Sequence, residues 1–246
     1  MVKVNSVVGL LFVLGSGVNN VYASSLIAAG TNFVQKYVND AKTLAIQASG
    51  KVASGCDSSS SCYTLSLGSS GDSFSANSGS VDMSDRQRIE FLTDYNTENN
   101  GQSWEYSWTS SVSSSTGLQS SQWMHMWQLF TDSGAFVQLT AINDKVSVRV
   151  LASGARKRGK CSTSIAYDDF KGNTYNHSMK VTYGSDGSMT YTMTDASTKE
   201  TTLSCSYSGE AGNGKSYLKA GIYRSVVSGM TAASGTISDF TQNQTS

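Results

Sequence analysis

The chain contains no proline. Its turns therefore fall to glycine, asparagine, aspartate and serine, residues that reach the required backbone angles or bond their own backbone. Histidine is nearly absent, with His125 and His177 the only two. Four cysteines without a Cys-x-x-Cys pair do not make the ligand set of a structural zinc site. Charge is sparse as well. Charged residues make up 15% of the 246, and they cancel, 18 basic against 18 acidic. That balance excludes the broad basic surface of a general nucleic-acid binder. No apolar run is long enough to cross a bilayer. Serine, threonine, asparagine and glycine take the place of charge, a surface more typical of secreted, carbohydrate-facing proteins than of cytosolic ones.

The first residues read as a secretory leader. Lys3 supplies the positive start, Val7 to Leu14 a short apolar run, and Val21-Tyr22-Ala23 a small-residue cleavage pattern. The expected organisation is a signal peptide over 1–23, a helical segment over 24–50 and one globular domain over 51–246. An oxidising compartment fits the even cysteine count. Four cysteines allow three connectivities. The favoured one is Cys56–Cys62 and Cys161–Cys205, because Cys56 and Cys62 close a small flexible loop easily. The longer bridge contributes about 3–4 kcal/mol in the chain-entropy model. Asn176-His177-Ser178 and Asn243-Gln244-Thr245 are glycosylation acceptors, the second being the more exposed.

Between 24 and 50, Phe33, Val34, Tyr37, Val38, Ala41, Leu44 and Ala45 recur at helical spacing, with Gly50 as a stop. This predicts one amphipathic helix, packed on the domain or serving as a pro-segment. From Cys62 onward the pattern becomes strand, turn, strand. Extended segments are predicted over 63–67, 86–93, 103–109, 122–130, 135–142, 145–151, 162–167, 178–183, 188–194, 201–207, 216–224 and 236–240. Asn143-Asp144 and Gly184-Ser185-Asp186-Gly187 read as hairpin turns. Many short strands with glycine-rich turns predict an all-β sandwich or jelly roll of two antiparallel sheets.

One basic run breaks the balance, Arg156-Lys157-Arg158-Gly159-Lys160. It reads as a solvated loop, with a polyanion contact as the functional alternative and Lys157-Arg158 as a possible dibasic processing point. Trp104, Tyr106 and Trp108 share one strand face. Core packing is the expected role and a sugar-stacking platform the alternative.

Three segments carry candidate chemistry. In Asp85-Arg86-Gln87-Arg88-Ile89-Glu90-Phe91, alternation puts Arg86, Arg88 and Glu90 on one face, with Ile89 and Phe91 toward the core. Arginine binds carboxylates bidentately, so this face suits an anion. In Ser216-Tyr217-Leu218-Lys219-Ala220-Gly221-Ile222-Tyr223-Arg224, Tyr217, Lys219 and Tyr223 share a face, with Gly221 leaving a gap between them. An amphipathic strand with exposed tyrosines is the plain alternative. In Gln122-Trp123-Met124-His125-Met126-Trp127-Gln128-Leu129-Phe130, a glutamine and a histidine lie inside an apolar strand. A buried amide must be hydrogen-bonded, so Gln128 is a satisfied structural group or a site group.

Arg88-x-Glu90, Gln128 and Tyr217-x-Lys219-Ala220-Gly221-x-Tyr223 together resemble the concanavalin-like jelly-roll polysaccharide lyases. These are the alginate lyases of family seven and the glucuronan lyases of family twenty, and the likeness is nearest to secreted, mostly fungal members. The motif order matches over most of the mature chain. The resemblance implies β-elimination on a polyuronic acid without a metal or other cofactor, by a secreted, monomeric enzyme. It implies an acidic polysaccharide as partner, with neither nucleic acid nor membrane. It gives Arg88 and Gln128 the neutralisation of the substrate carboxylate, and Tyr223 the acid, or acid and base, function. Arg86, Glu90, Tyr217 and Lys219 would bind substrate. Two positions depart from the pattern. Phe130 stands where the alginate lyases carry a catalytic histidine, and Trp127 where close relatives carry a second one. His125 could replace the first of these. In an unbroken strand, though, it faces away from Gln128, and only a bulge would bring both to one face. Otherwise it is a core histidine. A non-catalytic lectin on the same fold and a glycoside hydrolase using Glu90 and Glu105 are the rival readings.

Overall fold

The computed structural model describes residues 25–56, 61–73, 82–93, 99–151, 158–212 and 214–246. The leader, Asp57 to Ser60 and, of the basic run, Arg156 and Lys157 lie outside them. In chain order the strands are β1 (Leu26–Ala29), β2 (Val34–Tyr37), β3 (Leu44–Ala48), β4 (Lys51–Ser54), β5 (Tyr63–Leu67), β6 (Asp72–Ser73), β7 (Asp82–Met83), β8 (Arg86–Thr93), β9 (Ser103–Val112), β10 (Trp123–Thr131), β11 (Gly134–Ile142), β12 (Lys145–Val150), β13 (Arg158–Cys161), β14 (Ile165–Ala166), β15 (Thr174–Thr182), β16 (Ser188–Asp195), β17 (Thr201–Ser208), β18 (Tyr217–Ser225) and β19 (Ala233–Gln244), with one helical turn, α1 (Tyr167–Phe170).

Two antiparallel sheets pack into a jelly-roll sandwich. The nine-stranded sheet runs β1-β4-β5-β19-β9-β15-β16-β17-β13, and the eight-stranded sheet β14-β12-β11-β10-β18-β8-β3-β2. Sequence alternation sets what each strand buries. In β15, Tyr175, His177, Met179 and Val181 point inward, while Thr174, Ser178 and Lys180 face water. Lys180 is ion-paired to Glu105 at 2.9 Å on that outer face. Tyr106 and Trp108 are buried in the core and Trp104 packs against it, as the core reading of that strand requires. Trp108 stacks on His177 at 4.7 Å. His177 is bonded to Ser110 Oγ and Tyr191 Oη, at 2.8 and 2.7 Å.

The turns follow their residues. Asn143 and Asp144 take φ of 50° and 57° and close a two-residue hairpin between β11 and β12, the primed geometry that matches strand twist. Gly184 to Gly187 joins β15 to β16. Both expected disulfides are present, Cys56–Cys62 and Cys161–Cys205. The second joins directly opposed residues of β13 and β17. Asn243 is exposed, whereas Asn176 is half-buried and accepts a bond from Thr109.

Two expectations are corrected. Residues 25–50 form no helix; they supply β1 to the nine-stranded sheet and β2 and β3 to the other. Asn39 and Lys42 make a tight turn between β2 and β3. Asn39 Oδ1 accepts the Thr43 and Leu44 amides, and Lys42 takes a φ of 55°. The apparent helical period was two short strands separated by that turn. Gly50 is no helix stop. It carries the chain from β3 in one sheet to β4 in the other, where a Cβ would overlap the Ser66 carbonyl oxygen. The predicted strand over 162–167 is only the short β14, with Tyr167 already opening α1.

Candidate active site on the eight-stranded sheet

Ile89 and Phe91 of β8, Leu218, Ala220 and Ile222 of β18, and Met124 and Leu129 of β10 fill the core. Their alternate neighbours therefore stand on the outer face of the sheet. Register sets them in rows across the strands. Arg88 pairs with Tyr223, Tyr223 with His125, and His125 with Thr140. The next full row holds Lys219, Gln128, Gln138 and Arg149. Between them lie Gln47, Glu90 and Gly221.

The histidine question is settled by the backbone. The register of β10 shifts between His125 and Trp127 against both neighbouring strands. One extra residue at this bulge reverses the alternation. His125 and Gln128, three apart, consequently share the outer face, while Trp127 turns inward and packs on Tyr191 at 4.7 Å. Phe130 remains outside, 4.1 Å from the Lys219 ammonium.

Glu90 is the electrostatic centre. It is 2% exposed, and its Oε1 accepts a 2.7 Å bond from Gln128 Nε2. Its Oε2 lies 3.7 Å from Arg88 and 4.0 Å from Lys219. A buried carboxylate is tolerated only when paired in this way. Glu90 thus holds Gln128, Arg88 and Lys219 from beneath. Gln47 adds a second acceptor, taking bonds from Arg88 Nη1 at 3.2 Å and Lys219 Nζ at 3.4 Å. Its own amide donates to Gln35. Burial pushes the Lys219 ammonium below its ordinary pKa; Glu90 opposes the shift and Arg88 adds to it.

Tyr223 stands among cations and rings. The Arg88 guanidinium lies 4.3 Å above its ring, and Arg86 Nη1 donates to its hydroxyl at 3.3 Å. Arg86 is fixed by two bonds to Asp85 and is held still more firmly protonated by that carboxylate and by the Tyr223 hydroxyl. His125 is clamped between Trp123, stacked at 4.5 Å, and Thr140, bonded to Nδ1 at 2.9 Å. Burial, reinforced by the charge of Arg149, lowers its pKa to about 4. The imidazole is therefore neutral near pH 7.

Gly221 has a backbone reason to be glycine. Its φ is 151°, and a Cβ would overlap the Ile89 carbonyl oxygen and sit 3.0 Å from Glu90 Cα. Gly221→Ala is expected to destabilise the protein by about 1–3 kcal/mol, the usual cost of overpacking. Thermal denaturation checks this, and an unchanged melting temperature would contradict the close approach of β8 and β18.

Both histidines are held neutral, His125 half-buried and His177 buried, the latter at a pKa of about 3 from burial alone. In the unfolded chain each titrates near ~6.5. Below that pH the unfolded state takes up protons that the folded state refuses, so stability falls with pH. At about 1.4 kcal/mol per unit, several kcal/mol should be lost between about pH 6.5 and the folded values. Melting temperatures across that range should decline steadily; a flat profile would contradict neutral burial.

Arg86, Arg88, Glu90, Gln128, Tyr217, Lys219, Tyr223 and His125 all come together on this face. The hydrolase pair does not. Glu90 lies under the site, while Glu105 is on the outer surface of the opposite sheet, and glycoside hydrolysis needs carboxyl groups flanking one bond. Gln47, Thr140 and Arg149 belong to the site but carry no sequence signal of their own.

No protein-family model matches the sequence, and no curated protein does. Solved structures match. A family 7 alginate lyase, AlgAT5, aligns with a TM-score of 0.50 and 10% identity, over 76% of this chain and 80% of its own. The endo-β-1,4-glucuronan lyase of the fungus Trichoderma reesei aligns with a TM-score of 0.52 and 9% identity, over 86% and 90%. The chain has the fold of the jelly-roll polysaccharide lyases. At these identities the likeness fixes architecture alone, and the chemistry rests on the side chains described above.

Proposed function

We propose that the protein is a secreted polysaccharide lyase that cleaves a polyuronic acid, of glucuronan or alginate type, by β-elimination. The observation that carries this reading is the meeting of Arg88, Gln128, His125 and Tyr223 on one sheet face through the bulge in β10. The two disulfides and the leader-like first residues support secretion.

The C5 proton of a uronate is weakly acidic while its carboxylate is charged. Arg88, Lys219 and the remaining Gln128 N–H neutralise that carboxylate and stabilise the dianionic intermediate, as oxyanion-hole donors do. With Nδ1–H donated to Thr140, His125 Nε2 carries the lone pair that takes the C5 proton. The C5–H electron pair forms the C4–C5 double bond and the C4–O4 bond breaks. Tyr223 gives its hydroxyl proton to O4, and the proton on His125 then returns to the phenolate. Arg86 and Arg88 stabilise that phenolate in the interval. The Phe130 substitution favours one second reading, a lectin that binds the polymer on the same face without cutting it.

The test is a panel of uronic and neutral polymers, followed by ultraviolet absorbance of the unsaturated product. Absorbance should rise on uronic polymers only. Because protein cations do the neutralising, the rate should survive exhaustive chelation. Loss on chelation with recovery on added calcium would assign carboxylate neutralisation to a metal instead.

A further inference from the structure

We infer that the nine-stranded sheet positions the site carried by the other sheet. Tyr191 and His177 are positioning residues for His125 and Gln128, acting through Trp127. The effect on turnover rests on the lyase reading above; the effect on the geometry of His125 does not.

His125 and Gln128 share the outer face because two successive residues of β10, Met126 and Trp127, both turn inward, at 4% and 1% exposed. An unbroken β10 has two alternatives. In one, Met124 and Met126 stay inside and carry Gln128 and Phe130 in with them. In the other, Trp127 and Leu129 stay inside and carry in Trp123 and His125. A one-residue slip of phase turns every side chain to the opposite face, so either alternative buries one member of the pair. The phase change therefore has to be held at one place. Met124 and Met126 adapt to irregular gaps. Trp127 is the bulkiest of the inward side chains, so the shape of its seat decides where the change falls.

That seat is built from the opposite sheet. Trp127 packs on the Tyr191 ring at 4.7 Å. Tyr191 lies on β16, and its hydroxyl is bonded to His177 Nδ1 on β15 at 2.7 Å. His177 is fixed in turn by β9. Ser110 Oγ is bonded to its Nε2 at 2.8 Å, and Trp108 stacks on it at 4.7 Å with the ring planes 2° apart. A column of side chains thus runs from the bulge through β16 and β15 to β9. Tyr191 and His177 are buried, and both ring nitrogens of His177 are engaged. A fully satisfied buried network specifies one arrangement, whereas loosely matched apolar cores lose uniqueness before they lose stability. Both residues stand in the nine-stranded sheet, while His125, Gln128 and Tyr223 rise from the eight-stranded one. What they contribute to the site passes through Trp127.

The test compares Tyr191→Leu, Tyr191→Phe and Leu203→Ala in the full chain. His125 is followed by the nitrogen and proton resonances of its imidazole, one of only two in the sequence. Turnover is followed by unsaturated product per folded molecule. Tyr191→Leu removes the ring on which Trp127 rests. The His125 resonances should shift, and kcat should fall by about 10²-fold, the scale of a ~1 Å misplacement, while KM changes far less. Tyr191→Phe keeps the ring and loses the bond to His177, so both effects should be present and smaller. Leu203→Ala empties part of the core on the neighbouring strand, at a buried residue in register with Met193 rather than Tyr191. Its melting temperature should fall, with the His125 resonances and kcat as in the wild type. Wild-type His125 resonances in Tyr191→Leu, or in Tyr191→Phe should the leucine variant fail to fold, would overturn the inference. The same shift in Leu203→Ala would overturn it too, since the effect would then be a general loss of stability. A wild type that yields no unsaturated product would overturn the lyase reading alone, and the His125 resonances would still decide the positioning.

Discussion

Tyr223→Phe should remove most of the turnover, by roughly 10²–10⁴-fold, the range of one proton-transfer role, while uronate polymer binding stays nearly unchanged. The phenylalanine ring keeps the contacts to Arg88 and Trp123. Only the hydroxyl is lost. Arg86, which donates to it, stays in place through its two bonds to Asp85. The site's cations therefore keep their geometry, and the missing group is the proton that O4 needs as it leaves. Single-turnover rates and polymer affinity, measured on the same preparation, separate the two effects. A variant that keeps wild-type turnover would remove Tyr223 from the chemistry. One that loses affinity and rate in parallel would make it a binding residue.

His125→Ala should also cost roughly 10²–10⁴ in rate if the imidazole is the base. Some stability goes with it, because the stacking on Trp123, about 0.5–1.5 kcal/mol for such ring pairs, is lost with the bond to Thr140. The pH–rate profile distinguishes the two contributions. A base whose pKa lies at about 4 is lost only below that value, so wild-type activity should fall through an acidic limb that the variant lacks. A variant with reduced melting temperature but unchanged turnover per folded molecule would make His125 a structural residue.

Much of the fold was legible because alternation is a strong signal in half-buried strands. The predicted limits of β5 and β8 agree with the structure to the residue, and the Asn143-Asp144 turn could hardly be anything but a hairpin. Where the sequence misled, the physical reason is specific. Ala45 and Ile46 of β3 are adjacent and both buried, so the strand shows no alternation, and with β2 it imitates a helical stripe. That error also concealed Gln47, since a residue placed on a separate helix cannot be set beside Arg88 and Lys219. The bulge was the other illegible feature. Nothing in Trp123 to Phe130 says where one residue is left over; the register against β11 and β18 decides it. Gly221 was noticed for the right position and a different reason, since the strand backbone of β8 needs the space.

The role of Glu90 follows the same pattern. Sequence alternation placed it correctly beside Arg88, yet exposure decides what it does. A carboxylate that is 2% exposed and bonded to Gln128 is occupied in positioning its neighbours.

The most direct test of β-elimination is the mass of the oligosaccharides released from a uronic polymer. Elimination leaves a C4–C5 double bond on the new non-reducing end, so each such fragment should be lighter by one water than the corresponding hydrolysis product. Fragments of that lighter mass, formed by the wild type and not by Tyr223→Phe, are the predicted result. Fragments of full hydrated mass, or a polymer bound and left uncut under every condition, would contradict the account.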